Sequence, residues 1–194
     1  MFYTTILSRK EERGLAIMII GVTCSCLPKS LSQKAVVAFL RGAEESGHRT
    51  SLVPIGKGLS GCTGCHACKK RNSFCVQQDS LRPYFDALSD AEAVVFGAGI
   101  YMGYPQGEAW SFMNRHFCLH DKVGEGAHCR IEPGKKLYPI FAQGAPDNPG
   151  YRANYEALLT PFDDWGFKRM PVLVVTSSNS EAAIQKAYEM GRAI

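Results

Sequence analysis

A chain of 194 residues fits one α/β domain large enough to bury a proper core, and 45% hydrophobic with 21% charged residues is ordinary for a globular protein. A net charge of +4, with Lys69-Lys70-Arg71 as the densest basic run, argues against a nucleic-acid surface. The longest apolar stretch, Leu15 to Val22, is too short to cross a bilayer; Glu11 and Glu12 interrupt the basic residues before it and no small-residue cleavage site follows, so it does not read as a secretion signal.

Residues Met1 to Gly14 are polar and mixed and read as an N-terminal extension; residues 15–194 read as one domain. Leu15 to Gly21 is a continuous apolar run, the pattern of a strand buried on both faces. The loop VTCSCLPKSLS follows, then helical periodicity from about Leu31 to Glu45, stopped by Gly47. Thr50 to Ile55 predicts a second strand, and Ser80 to Leu88 a helix with Leu81, Tyr84, Phe85 and Leu88 on one face. Ala93 to Gly97 predicts a third strand, Glu108 to about Cys118 a helix, and Lys136 to Ala142 a fourth strand. Tyr151 to Trp165 predicts a helix, Val172 to Thr176 a fifth strand, and Glu181 to Ala193 the last helix. Strands alternating with helices predict an α/β doubly wound, five-stranded parallel sheet with helices on both faces. Ligands of such folds bind beyond the carboxyl ends of the strands, where the strand order reverses.

The first of those loops offers Thr23, Ser25, Lys29, Ser30 and Ser32 before a helix. Hydroxyls and unpaired N–H groups at a helix N-terminus suit an anion, here a phosphomonoester; plain capping by Ser30 or Ser32 is the other reading. A G-x-G-x-x-G run at Gly56 to Gly61 does not open a helix and reads as a turn. The loop from Gly97 to Tyr104 is rich in glycine and aromatics, which suits a flat ring lying against backbone, or simply a surface turn.

Eight cysteines without a secretion signal point to a reducing, cytoplasmic setting. Four lie in one run: Cys62, Cys65 and Cys68 at C-x2-C-x2-C spacing, then Cys75. This spacing is shared with bacterial ferredoxins and lets three thiols converge on one cubane, with Asn72 and Ser73 turning the chain so that Cys75 closes the set. Zinc, which prefers two separated hooks, and unligated or disulfide-forming cysteines are the alternatives. Cys24 and Cys26 are either redox-active thiols or small loop residues, and His116 and His120 either form a metal face with Cys118 or mark an ordinary amphipathic helix end.

Together these segments resemble the iron–sulfur flavoproteins, within the wider group of NAD(P)H-dependent FMN reductases of flavodoxin-like fold. Gly21, Ser30 and Ser32 match the family's phosphate loop, although that loop is longer here and Val22, Thr23 and Cys24 replace its usual residues. Gly61-Cys62 through Cys75, with Asp79, match the cysteine segment. Gly97, Tyr101, Gly103, Phe112 and Arg115 match the third segment, with Gly99 and Asn114 replacing the usual Pro and Asp. Ala187 to Arg192 is similar to the last helix. The resemblance implies FMN with its phosphate near Thr23, Ser25, Lys29, Ser30, Leu31 and Ser32. It implies Gly99, Ile100, Tyr101, Met102 and Gly103 along the ring, and Gln143 and Gly144 on its other side. It implies one [4Fe–4S] cluster on Cys62, Cys65, Cys68 and Cys75 in the loop at 61–76, and a homodimer or homotetramer. Electrons would pass from NAD(P)H or a ferredoxin-like donor through FMN to a small-molecule or protein acceptor. Two other functions stay open: a cluster-free NAD(P)H-dependent FMN or quinone reductase, and a non-catalytic, zinc-stabilised binding or regulatory module.

Overall fold

The computed structural model describes residues 16–25 and 27–194; the expected extension, Leu15 and Cys26 lie outside the described residues. The first strand, β1 (Met18–Thr23), sits between β2 (Arg49–Pro54) and β3 (Ala91–Tyr101), parallel to both. β3 pairs in parallel with β5 (Lys136–Gln143), and a short β4 (Tyr104–Pro105) folds back antiparallel on its end. The outer position is shared by β6 (Lys168–Arg169) and β7 (Leu173–Thr176), both parallel to β5. Pro171 lies in the gap between them and has no N–H to give a ladder. Five parallel positions result, in the order β2, β1, β3, β5, then β6 with β7.

β1, β3 and β5 are buried along nearly their whole length, which is why their sequences are apolar without alternation. One face is covered by α1 (Leu31–Glu45) and, at the C-terminus, by Ser180–Arg192. Val36 and Phe39 of α1 pack there with Ile19, Val95, Ile140 and Val175 of the sheet. The two helices touch through glycines: a Cβ on Gly191 would lie 1.9 Å from Phe39 O, and one on Gly42 would lie 2.1 Å from Tyr188 O.

The cysteine segment holds a short helix, α2 (Ala67–Lys70), and α3 (Arg82–Leu88) follows it. α4 (Gly107–Arg115) runs directly into a 3-10 turn, His116–Leu119, and α5 (Pro149–Asp164) completes the second face; the C-terminal helix is therefore α6. Phe85, Phe112, Leu158 and Phe162 from these helices meet Val94, Phe96 and Phe141 of the sheet. Among the described residues, no helix is long and apolar enough to cross a membrane.

Candidate functional site

The strand order reverses between β1 and β3, so the crevice beyond their carboxyl ends is the expected ligand position. A cavity of about 190 Å³ lies there. Ser25, Ser30, Leu31 and Ser32 line it from the β1–α1 loop, Gly99, Ile100 and Tyr101 from the end of β3, and Gln143 and Gly144 from the end of β5. Leu27, Ala142 and Ser177 complete the wall and were not nominated from sequence. Ser177 was within reach of the same strand-end rule, since it follows the last strand directly.

Ser30 caps α1 by accepting from Gln33 N–H at 3.2 Å, and its hydroxyl lies 3.2 Å from that of fully buried Ser32. The positive end of the α1 dipole and two hydroxyls therefore face one wall. Gly99 bonds Gln106, the residue before α4, twice: its N–H donates to the side-chain Oε1 at 3.3 Å and its carbonyl accepts from Gln106 N–H at 3.0 Å. Gln143 donates to Pro146 O at 2.6 Å and accepts from Tyr155 Oη, which fixes the third wall. Among the described residues, no charged side chain lines the cavity.

Four nominated residues stand beside the cavity rather than in its wall. Thr23 is buried at the end of β1, where its carbonyl accepts from Ile55 N–H at 2.8 Å. Lys29 is exposed, with its N–H on Gln33 Oε1 at 2.7 Å. Met102 and Gly103 form the tip of the β3–β4 hairpin with φ of 51° and 84°, the positive pair of a type I′ turn. Met102 is 95% exposed, and Leu27, Tyr101 and Tyr104 add to an apolar rim. A larger cleft of about 550 Å³ runs along β7 between α5 and α6, away from the switch point; there Arg152 is already paired with Asp147 at 2.6 Å.

The second constellation is the cysteine segment. Cys62, Cys65, Cys68 and Cys75 all line one small cavity of about 10 Å³, room for roughly one water. Positive φ at Gly64, His66 and Asn72 turns the chain between the thiols. The C-terminal end of α4 grips both ends of the segment. Asn114 Oδ1 accepts from Cys62 N–H at 2.8 Å. Arg115 donates from Nε to Cys75 Sγ at 3.1 Å, and from Nη1 to Ser60 O at 3.0 Å and Asp79 Oδ2 at 2.6 Å. The exposed Cys65 thiol is drawn below its ordinary range, first by the Ala67 backbone N–H and then by the Thr63 side chain.

A fifth thiol, Cys118, lines the same cavity from the 3-10 turn, and burial pushes it up to about 12. The sequence left Cys118 open to a metal face with His116 and His120 or to an ordinary amphipathic helix end. The metal face does not form, because His116 is buried in an aromatic box and both its ring nitrogens have partners, Tyr84 Oη and Phe112 O. Among the described residues, no three His, Cys, Asp or Glu side chains gather closely enough to hold a single metal ion. Thiols and, among the described residues, no carboxylate stand in the wall of this cavity: Cys62, Cys65 and Cys68 of the C-x2-C-x2-C run, Cys75, and Cys118. Cys24 is buried just past the end of β1, its N–H donating to Gly97 O of β3 at 2.8 Å.

No model of a known protein family matches the chain. Solved structures align over nearly its whole length. An NAD(P)H:quinone oxidoreductase from Methanothermobacter marburgensis aligns at a TM-score of 0.73 and 13% identity, covering 91% of this chain and 98% of its own. A flavodoxin from the domain Archaea aligns at a TM-score of 0.56 and 14% identity, covering 92% and 96%. The fold is flavodoxin-like. An FMN-dependent NADH-azoreductase from Bacillus anthracis, solved with FMN, shares this flavodoxin-like fold at a TM-score of 0.61 and 13% identity, covering 91% and 96%. By sequence, the chain is similar to a curated iron–sulfur flavoprotein from Methanosarcina thermophila, 27% identical over 114 residues, 55% of this chain. The match spans 59% of that relative's length.

Proposed function

We propose that the chain is an FMN-dependent oxidoreductase in which Cys62, Cys65, Cys68 and Cys75 hold a [4Fe–4S] cluster. The observation that carries this reading is the convergence of these four thiols on one cavity in a flavodoxin-like fold whose switch-point cavity is hydroxyl-lined and, among the described residues, uncharged.

Ser30, Ser32 and the N-terminus of α1 would hold the FMN phosphate. The backbone of Gly99 to Tyr101 would flank the ring, with Gln143 and Gly144 opposite. At about 190 Å³ the cavity falls below the roughly 300 Å³ of ordinary ligand clefts, so one side of the ring stays open toward the rim of Leu27, Tyr101, Met102 and Tyr104. That rim suits an apolar acceptor or a second copy of the chain in a homodimer or homotetramer. When bound, FMN supplies one- or two-electron chemistry and the cluster supplies single electrons; the chain positions both and keeps water from their buried sides. NAD(P)H or a ferredoxin-like protein is the electron donor and a small molecule or protein the acceptor. The relatives named for NAD(P)H, quinone and azo chemistry support the flavin part, and the iron–sulfur flavoprotein match supports the cluster.

A second reading, a cluster-free NAD(P)H-dependent reductase, draws support from the small size of the cysteine cavity, about 10 Å³. Anaerobic purification, a visible spectrum and iron and sulfide assays on one sample separate the two. The cluster reading expects a flavin spectrum over a broad shoulder and about four irons per chain. Flavin without iron selects the simpler reductase. A protein that remains colourless after incubation with FMN overturns both and leaves a binding module.

A further inference from the structure

The guanidinium of Arg115 is the charged group set deepest beside the cysteine cavity, with a side chain 0% exposed. It cannot lose its proton, so its charge is permanent. Its donors are divided among three partners: Nε on Cys75 Sγ, and Nη1 on both Ser60 O and Asp79 Oδ2. Ser60 precedes the first cysteine and Asp79 follows the last, so one side chain ties the two ends of the loop together and touches a thiol between them. Asp79 is itself held, its Oδ1 accepting from Leu81 N–H at 3.0 Å. Other cations nearby bond elsewhere than a cysteine sulfur: Lys69 Nζ donates to Phe117 O at 2.5 Å, Arg130 donates to Cys118 O at 3.0 Å and to Asn72 Oδ1, and Arg82 is paired with Asp86 at 2.7 Å.

We propose that Arg115 is a positioning residue that sets the reduction potential of a cluster on Cys75, raising it by its fixed charge and its N–H···S bond, while Asp79 lowers it. This rests on the cluster reading above. Reduction adds one electron, hence one negative charge, and breaks no bond. A cation in contact with a ligand sulfur favours the added charge and a carboxylate one shell further out opposes it; potentials of such clusters follow net charge and hydrogen bonds to sulfur.

The test is a reductive titration with dithionite of the anaerobically purified full chain, reading the midpoint of the iron–sulfur EPR signal alongside iron content. Arg115→Gln should lower the midpoint, Asp79→Asn should raise it, and Arg115→Lys, which keeps the charge but not the fork, should fall between wild type and Arg115→Gln. A tenfold change in the reduction equilibrium, 59 mV for one electron, is the expected scale. Opposite signs are the signature of charge, since damage to the loop would not raise the potential in one variant and lower it in another. Asn at position 79 can still accept from Leu81 N–H, so that variant keeps the loop should Arg115→Gln lose its iron. Unchanged midpoints, or shifts of one sign in Arg115→Gln and Asp79→Asn, overturn the role of Arg115 and leave the cluster reading standing. If Arg115→Gln loses its iron, an Asp79→Asn midpoint that stays put or falls overturns it as well. Wild-type protein that binds no iron overturns both.

Discussion

Tyr84 Oη lies 2.6 Å from His116 Nε2 inside a shell of aromatic rings. The imidazole is stacked on Trp165 at 5.0 Å and 13°, with Phe112 and Phe162 edge-on, and Nδ1 lies 2.9 Å from Phe112 O. One nitrogen therefore donates to a carbonyl and the other accepts a phenol, which satisfies a neutral ring and leaves no place for a second proton. Burial accordingly lowers His116 from its ordinary 6.5 to about 4. Between those values the unfolded chain binds a proton that the folded chain refuses. The stability from this site is full above the higher value and is lost as pH falls through the window, on the order of 3 kcal/mol at its limit. Denaturant midpoints measured across that range should fall toward acid. The double variant Tyr84→Phe/His116→Phe should be near neutral in stability at neutral pH and should flatten that acid slope. Tyr84→Phe alone, which strands Nε2, should cost about 1–3 kcal/mol. An acid slope that survives the double variant would place its origin elsewhere.

The five thiols at the cysteine cavity should differ in reactivity in the metal-free chain. Cys65 is exposed and its thiol is drawn low by the Ala67 N–H, whereas Cys118 is buried and pushed up to about 12. The thiolate is the nucleophile, so iodoacetamide near neutral pH should label Cys65 first and Cys118 last. Peptide mass spectrometry over time reads the order directly, and early labelling of Cys118 would show that the 3-10 turn opens readily.

The contact of α1 with α6 depends on two missing methyl groups. Gly191→Ala would force its Cβ to 1.9 Å from Phe39 O, a backbone atom that cannot swing aside. A loss of about 1–3 kcal/mol is expected in urea unfolding. Gly107→Ala, on α4 with nothing within 4 Å of its Cβ position, is the control. It should be neutral or stabilising by up to about 1 kcal/mol. Equal losses in both variants would exclude the crossing as the cause.

The buried strands were legible because parallel strands covered on both faces leave unbroken apolar runs, as in MIIGV within β1, which starts three residues later than the run from Leu15 suggested, and in KLYPIFA of β5. Their ends were less so. β3 runs on to Tyr101 because Gly99 still pairs with Ala142 of β5 and Ile100 and Tyr101 pair with Pro105 and Tyr104 in a hairpin, while composition alone read a loop. The outer strand is split at Pro171, and α2 inside the cysteine run is too short to leave a periodic signal. The four-thiol set was legible from spacing. Arg115, matched by resemblance only, and Cys118 owe their place at that cavity to tertiary packing. The usable clue was local: three positions apart, they share one side of a helical turn at the end of α4.

The switch-point cavity makes a prediction that separates phosphate from ring. Ser32 is fully buried, its hydroxyl beside the Ser30 hydroxyl at 3.2 Å, at the N-terminus of a fifteen-residue helix. A hydroxyl there has one use for a ligand, which is to donate to an anion already favoured by the helix end. Riboflavin carries the same ring without the phosphate. Ser32→Ala should therefore weaken FMN binding by about tenfold, near 1.4 kcal/mol, and leave riboflavin binding unchanged. Fluorescence titration of the apoprotein with each ligand reads both constants. Ser30→Ala should add a loss of helix stability of about 0.5–2 kcal/mol, because that hydroxyl also caps α1, so its thermal midpoint should fall while that of Ser32→Ala moves less. Equal weakening of the two flavins by Ser32→Ala would mean that the phosphate lies elsewhere and that the hydroxyl serves only to pack the loop.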